Sequence, residues 1–169
     1  MDTDSFSNII LPHSDRLYRM AKSILSDEEA AKDAVQELYL KLWQEKNDLK
    51  NIENVLHFAL KILRNICIDM LRKQKNSEIV SKELLERQNE ISQQNVVEIE
   101  DITMIIKQLI NNLPELQKTI IRLRDVEGFE IKEIAYITNS NENAVTVNLS
   151  RARQKIKEEL IKMNINTLK

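Results

Sequence analysis

Glycine occurs once in this chain of 169 residues, and proline twice. That leaves almost no vocabulary for tight hairpins or for glycine-rich phosphate loops. The single cysteine, Cys67, excludes an intramolecular disulfide and a cysteine-based metal cluster. Set in an apolar helical stretch, it reads as a small buried side chain rather than a reactive thiol. No apolar run approaches the roughly 20 residues that a membrane span needs. The opening MDTDSFSNII is acidic and carries no basic n-region, so no secretory leader is expected. A reducing, cytoplasmic compartment without membrane insertion follows as the expectation. An excess of either charge is lacking too: 25 basic against 27 acidic residues, a net −2, argues against a protein that coats nucleic acid by bulk electrostatics. His13 and His57 stand in different helical segments without metal-ligand spacing, and no nucleophile–base pair is visible. The chain is therefore expected to be no enzyme and to need neither metal nor cofactor.

What is abundant is the palette of amphipathic helices: Leu, Ile, Glu, Lys and Gln, with 42% hydrophobic and 31% charged residues. The predicted fold class is all-α. The charge is also segmented. Lys61 to Lys75 holds five cations against Asp69 alone, whereas Glu78 to Asp101 holds seven acids against Lys82 and Arg87. Basic, acidic and again basic stretches suggest separate jobs. The spacing predicts a helix over Ser14–Leu25, a second opened by a Ser26 or Asp27 cap with Ala31, Ala34, Val35, Leu38 and Leu42 inward, and a polar loop over Asn47–Asn54. A long helix follows with Val55, Ala59, Ile62, Leu63, Ile66 and Met70 on its stripe. The expected organisation is a helical domain over residues 1–75, an acidic linker over 76–101 and a second helical domain over 102–169. In the last, Pro114 sits in a favoured first turn and Gly128 closes a helix.

The stretch EIKEIAYITNSNENAVTVNLSRARQK (Glu130 to Lys155) breaks a helical pattern without glycine or proline. Asn139 tolerates the left-handed conformation, and Asn141 can cap a new helix. On that helix Val145, Leu149, Ala152, Ile156, Leu160 and Met163 fall in a narrow arc. The opposite side carries Asn143, Val147, Ser150, Arg151, Gln154 and Lys157, with Thr146 and Arg153 at the flanks. Two helices joined by a short polar turn, the second with cations outward, describe a helix-turn-helix. Asn143, Thr146 and Val147 would then reach base edges, Val147 meeting a thymine methyl. Arg151, Arg153 and Lys155 would hold phosphates. The residues alone leave open an ordinary helical hairpin with a solvated basic face.

Two other faces are ambiguous in the same way. In LKILRNICIDMLRKQK the outward residues are Lys61, Arg64, Asn65, Ile68, Arg72, Lys73 and Lys75, which suit either solvent or a nucleic-acid backbone. In DAVQELYLKLW the residues Gln36, Tyr39, Leu40 and Trp43 make the second helix apolar around more than half its circumference, which calls for a second neighbour or a partner.

With these pieces in order, the chain resembles bacterial RNA polymerase sigma factors of the extracytoplasmic-function type, from about Asp15 to Leu160 apart from the linker. Asp33 to Trp43 looks like the region 2 segment that docks on the clamp helices of the largest polymerase subunit. Leu63 to Lys75 looks like the segment that handles the −10 promoter element. LPELQKTIIRLRDVEGF resembles the start of region 4, and Glu130 to Ile156 its helix-turn-helix for the −35 element.

The resemblance implies a factor that binds core RNA polymerase and directs promoter-specific initiation. The rival readings are an autonomous helix-turn-helix repressor or activator, and an all-α adaptor. By the same resemblance, Asp33, Gln36, Glu37, Leu40 and Trp43 would face polymerase, and Asp48, Leu49, Asn51 and Ile52 would belong to a loop that pockets a −10 base. An anti-sigma partner is implied as well. Asn139 stands where the family usually has glycine, and Asn143-Ala144 where it usually has Gly-Thr. Two positions often basic there are Thr146 and Asn148, so the −35 sequence does not carry over from a relative.

Overall fold

The computed structural model describes residues 3–82 and 99–163; the acidic stretch between them lies outside the described residues. All regular structure within them is helical. Helix α1 covers Thr3–Ile10 and passes through a 3-10 turn, Leu11–His13, into α2, Ser14–Leu25. Ser26 ends α2 in the left-handed conformation (φ 57°), and Asp27 starts α3, Glu28–Gln44, by accepting from the Ala30 N–H at 2.7 Å. Acids in the first turn of α3 match the positive end of its dipole. A 3-10 turn, Asp48–Asn51, leads to α4, Val55–Lys82, capped by Asn54 Oδ1 on the His57 N–H at 3.0 Å.

Helices α2, α3 and α4 pack on one another, with Leu17, Met20, Ala21, Ile24, Ala31, Ala34, Val35, Leu38 and Leu42 buried as their periodicity requires. Helix α4 departs from the expected register. Leu56, Leu60 and Cys67 are buried beside Ala59, Leu63 and Ile66, whereas Val55, Ile62 and Met70 are only half-buried. The cause is a helix with several neighbours: α2 and α3 take one side, and the second half of the chain takes another. Burial pushes the Cys67 thiol up to about 12, which leaves it protonated and inert. The same helix continues through Lys82, past residue 76 where the acidic linker was expected to begin.

The second half comprises α5 (Ile99–Asn111), α6 (Glu115–Ile121), α7 (Ile131–Thr138) and α8 (Glu142–Lys162). Helix α5 begins earlier than the expected boundary at Ile102. Pro114 serves as N-cap of α6, one position before the expected first turn. Helix α6 runs into a π-helical turn, Arg122–Val126, closed by the Glu127 N–H on the Arg122 carbonyl at 3.0 Å. Gly128 then reverses the chain at φ 78°, a conformation that L side chains rarely adopt.

The halves touch along a seam. Phe129, 6% exposed, has its ring 5.4 Å from that of His57 on α4, and the Arg16 guanidinium lies 5.5 Å from it on the other side. Glu127 receives Arg19 Nε at 2.9 Å and Arg16 Nε at 3.3 Å. His57 Nε2 lies 3.3 Å from Glu133 of α7.

Candidate nucleic-acid interface

The break in the Glu130–Lys155 stretch is a helix-turn-helix turn. Helix α7 opens with a capping box in which the Glu130 N–H donates to Glu133 at 2.7 Å. It closes at Asn139, φ 53° and ψ 43°, the left-handed residue anticipated there. Asn141 then accepts from the Ala144 N–H at 2.7 Å and starts α8. Val145, Leu149 and Ala152 are buried against α6 and α7, which fixes the rotation of α8 about its axis. That rotation turns Asn143, Thr146, Val147, Ser150, Arg151, Gln154 and Lys155 to the surface.

Within this face the side chains differ in readiness. Thr146 Oγ1 donates to the Glu142 carbonyl at 2.9 Å, leaving its lone pairs and methyl outward. Gln154 donates to Glu158 at 2.8 Å. Arg153 is not free: its Nε lies 3.0 Å from Asp125 in the π turn, so a phosphate would have to compete with that carboxylate. Arg151 and Lys155 have no carboxylate partner among the described residues and are the ready cations.

The basic face of α4 is divided. Asn65, Arg72, Lys73 and Lys75 are exposed, Arg72 resting 3.7 Å from Asp69 in a solvent-screened pair of small worth. Lys61 and Arg64 are not available in the same way. The Lys61 ammonium sits 4.5 Å above the Tyr136 ring of α7. Arg64, whose side chain is 11% exposed, donates to Glu115 of α6 at 3.1 Å. Ile68 is half-buried. Of the residues expected outward, Lys61 and Arg64 are thus covered by the second half of the chain, while Asn65, Arg72, Lys73 and Lys75 stay open.

On α3, Asp33, Gln36, Glu37 and Leu40 share one exposed side, with Glu37 paired to Lys41 at 3.0 Å and Leu40 at 64% exposure. Trp43 lies at the edge: Phe6 of α1 meets it edge-on at 5.2 Å and Lys46 covers its ring at 3.6 Å. In the loop before α4, Leu49 is 2% exposed and anchors the turn in the core, so it offers no surface to a base in this arrangement. Asn51 is exposed and Ile52 half-buried; the Asp48 side chain lies outside the described residues.

Sequence reasoning missed the seam residues Phe129, Glu127, His57, Glu133 and Glu115. Each looks like an ordinary helix-surface or loop residue until its opposite number is known. Among the described residues there is no cluster suited to a metal ion, and no helix is long and apolar enough to cross a membrane.

Comparison with known proteins agrees with this layout. The family described as sigma-70 region 2 matches residues 9–77, and sigma-70 region 4 matches residues 103–156. The chain is 31% identical to the RNA polymerase sigma factor SigV of Bacillus subtilis (strain 168), over 93% of this chain and 92% of the relative. It is 23% identical to the ECF RNA polymerase sigma factor SigW of the same organism, over 94% and 90% of the two chains. Among solved structures, the sigma factor RpoE in complex with the anti-sigma factor NepR from Bartonella quintana has a similar fold. Its TM-score is 0.75 at 24% identity, over 94% of this chain and 98% of that one. CnrH, solved with the cytosolic domain of CnrY, gives a TM-score of 0.66 at 18% identity, over 95% and 90% of the chains.

Proposed function

This chain belongs to the sigma-70 family, as an RNA polymerase sigma factor of the extracytoplasmic-function type that directs promoter-specific initiation, and from that premise we propose how its residues divide the work. Residues 1–75 serve as region 2 and 102–169 as region 4, with 76–101 between them. The exposed side of α3, centred on Leu40 with Asp33, Gln36, Glu37 and the edge of Trp43, docks on the clamp helices of core polymerase. An apolar side chain that stays uncovered within a chain already packed on several sides is the feature that supports this. Helix α8 enters the −35 major groove with Asn143, Thr146 and Val147 at base edges and Arg151 and Lys155 on phosphates. Asn65, Arg72, Lys73 and Lys75 engage the −10 element, joined by Lys61, Arg64 and Ile68 once the seam has parted; Asn51 and Ile52, with Asp48, flank the base pocket.

The observation that carries this reading is the capped turn at Asn139–Asn141 beside a recognition helix whose buried triad turns those residues outward. The polymerase supplies the chemistry; the chain supplies recognition, in the cytoplasm where polymerase and promoter DNA meet. Because α6 and α7 cover Lys61 and Arg64, the packed arrangement is the resting form of the free chain, and polymerase binding separates the halves. Two solved structures of similar fold are complexes with an anti-sigma factor or a cytosolic partner domain, which supports an anti-sigma partner here. The test is reconstitution with bacterial core RNA polymerase. A stoichiometric complex on gel filtration that initiates at selected promoters in run-off transcription is expected. Tight duplex binding by the chain alone, with no complex, would instead favour an autonomous helix-turn-helix regulator.

A further inference from the structure

A cavity of about 320 Å³ opens on the seam between α2 and the α5–α6 segment, lined by none of the residues assigned to DNA or polymerase. Arg19 and Lys22 line it from α2, Lys107 from α5 and Arg122 from the π turn, against the single carboxylate of Glu127. The carboxylates nearby are already engaged. Glu127 holds Arg16 and Arg19, and Glu28 holds Lys22. Lys107 and Arg122 are left over: Lys107 has no ion-pair partner among the described residues, and Arg122 has only the amide of Asn111, at 2.9 Å. The Arg122 Nε is moreover buried without an acceptor. Burial lowers the Arg122 pKa, and Lys118, one helical turn away, is lowered by its own burial and by the charge of Arg122. That Nε is out of a ligand's reach, but a half-desolvated guanidinium whose only partner is one neutral amide is stabilised when an anion joins its terminal nitrogens.

Val126, 63% exposed, with the edges of Met20 and Leu123, supplies an apolar part of the wall beside the small polar side chains of Ser23, Ser26, Asn111 and Thr119. Cations on one side and an apolar patch on the other, in a cavity of small-molecule size, define the chemistry of the occupant. We propose that this cavity binds a small phosphate-bearing compound with an apolar ring, of mononucleotide size, its phosphate on Arg122 and Lys107 and its ring on Met20, Leu123 and Val126. Guanidinium offers phosphate paired N–H donors, and Lys107 adds a point charge. Because the walls come from both halves of the chain, the occupant holds the seam shut, and binding is coupled to the packed arrangement.

The full-length chain is titrated with inorganic pyrophosphate, ADP and adenosine by calorimetry, with thermal unfolding in parallel. Saturable pyrophosphate binding, tighter ADP binding and a raised unfolding midpoint with each are expected. Lys107→Gln, an exposed change that leaves the fold intact, should weaken ADP about tenfold, as loss of one charge-assisted contact does. Arg122→Lys, which keeps the charge and loses the fork, should weaken it as well. Adenosine binding as tight as ADP would overturn the proposal, as would ADP binding unchanged in Lys107→Gln. So would absence of saturation by either phosphate compound up to about 1 mM, the weak limit of specific affinity. Saturation by a polyglutamate peptide, titrated in the same way, with none by pyrophosphate or ADP would mark the cleft as a protein-docking surface and equally overturn it. None of these readouts involves polymerase or promoter DNA.

Discussion

Arg64 on α4 donates from Nη2 to Oε2 of Glu115 on α6 at 3.1 Å, so a cation expected on the −10 surface is held by the region 4 half of the chain. In this packing region 4 covers Lys61 and Arg64 of region 2. Removing Glu115 leaves a guanidinium whose Nε is already buried without an acceptor. Breaking a pair of this kind costs about 3 kcal/mol while the packing persists. Glu115→Gln should therefore open the seam, lower the urea midpoint and raise the affinity of the free chain for a −10 single-stranded oligonucleotide several-fold. Fluorescence anisotropy measures that affinity; an unchanged value with a lowered midpoint would mean that Arg64 does not contact DNA.

The seam should also respond to acid. Burial lowers the His57 pKa and outweighs the upward pull of Glu133, while Arg16 pushes it further down. A histidine with a depressed folded-state value binds its proton more readily when unfolded or separated. Its stabilising contribution is thus complete above the ordinary 6.5 and is lost as the pH falls from there through the depressed value. A fluorophore pair on α2 and α7 should report opening as the pH drops from about 7 to about 5.5, and His57→Gln should flatten the response. Opening on the alkaline side of 6.5 would contradict the assignment.

On α8 the two kinds of contact are separable. Arg151→Ala should weaken all −35 sequences to a similar extent and reduce the salt dependence of holoenzyme–promoter binding by about one unit of slope. Val147→Ala should instead change the ranking of −35 variants, by about 1 kcal/mol at one base step. Competition binding across a randomised −35 library distinguishes them. A uniform loss from Val147→Ala would put that side chain outside the groove.

Leu40→Asp tests the polymerase face. Because Leu40 is 64% exposed, stability should change by no more than about 0.5 kcal/mol. Co-elution with core polymerase should nevertheless fall at least about tenfold, since a charge placed in an apolar contact must be desolvated. Retained co-elution would move the docking surface elsewhere.

How much of this was legible in the sequence varies by scale. Periodicity located α2, α3 and α8 to within a residue or two, because each buries one stripe against close neighbours in the chain. Asn139 and Asn141 were legible because their side chains solve local backbone problems. Helix α4 was read in a shifted register, since Leu56, Leu60 and Cys67 are buried by neighbours on more than one side and no single stripe describes that. Helix α1 was missed: its short acidic start carries too few turns of pattern. The seam was invisible for a further reason. Arg64, Lys61 and His57 belong to one local pattern and Glu115, Tyr136 and Phe129 to others, and nothing along a chain says which two faces will meet.

The π-helical turn at Arg122–Val126 has a consequence for how such a chain tolerates lengthening and shortening. A π turn accommodates one residue more than an α turn, and each residue of an α-helix advances the side-chain direction by about 100°. Because the π turn takes up its extra residue within one turn, removing one residue between Arg122 and Val126 would tighten it to α geometry while Glu127 keeps nearly its present direction toward Arg16 and Arg19. Helices α7 and α8 begin beyond the Gly128 reversal and would keep their own caps. The turn is thus a place where the chain can shorten by one residue without losing the contacts of Glu127 or the caps of α7 and α8.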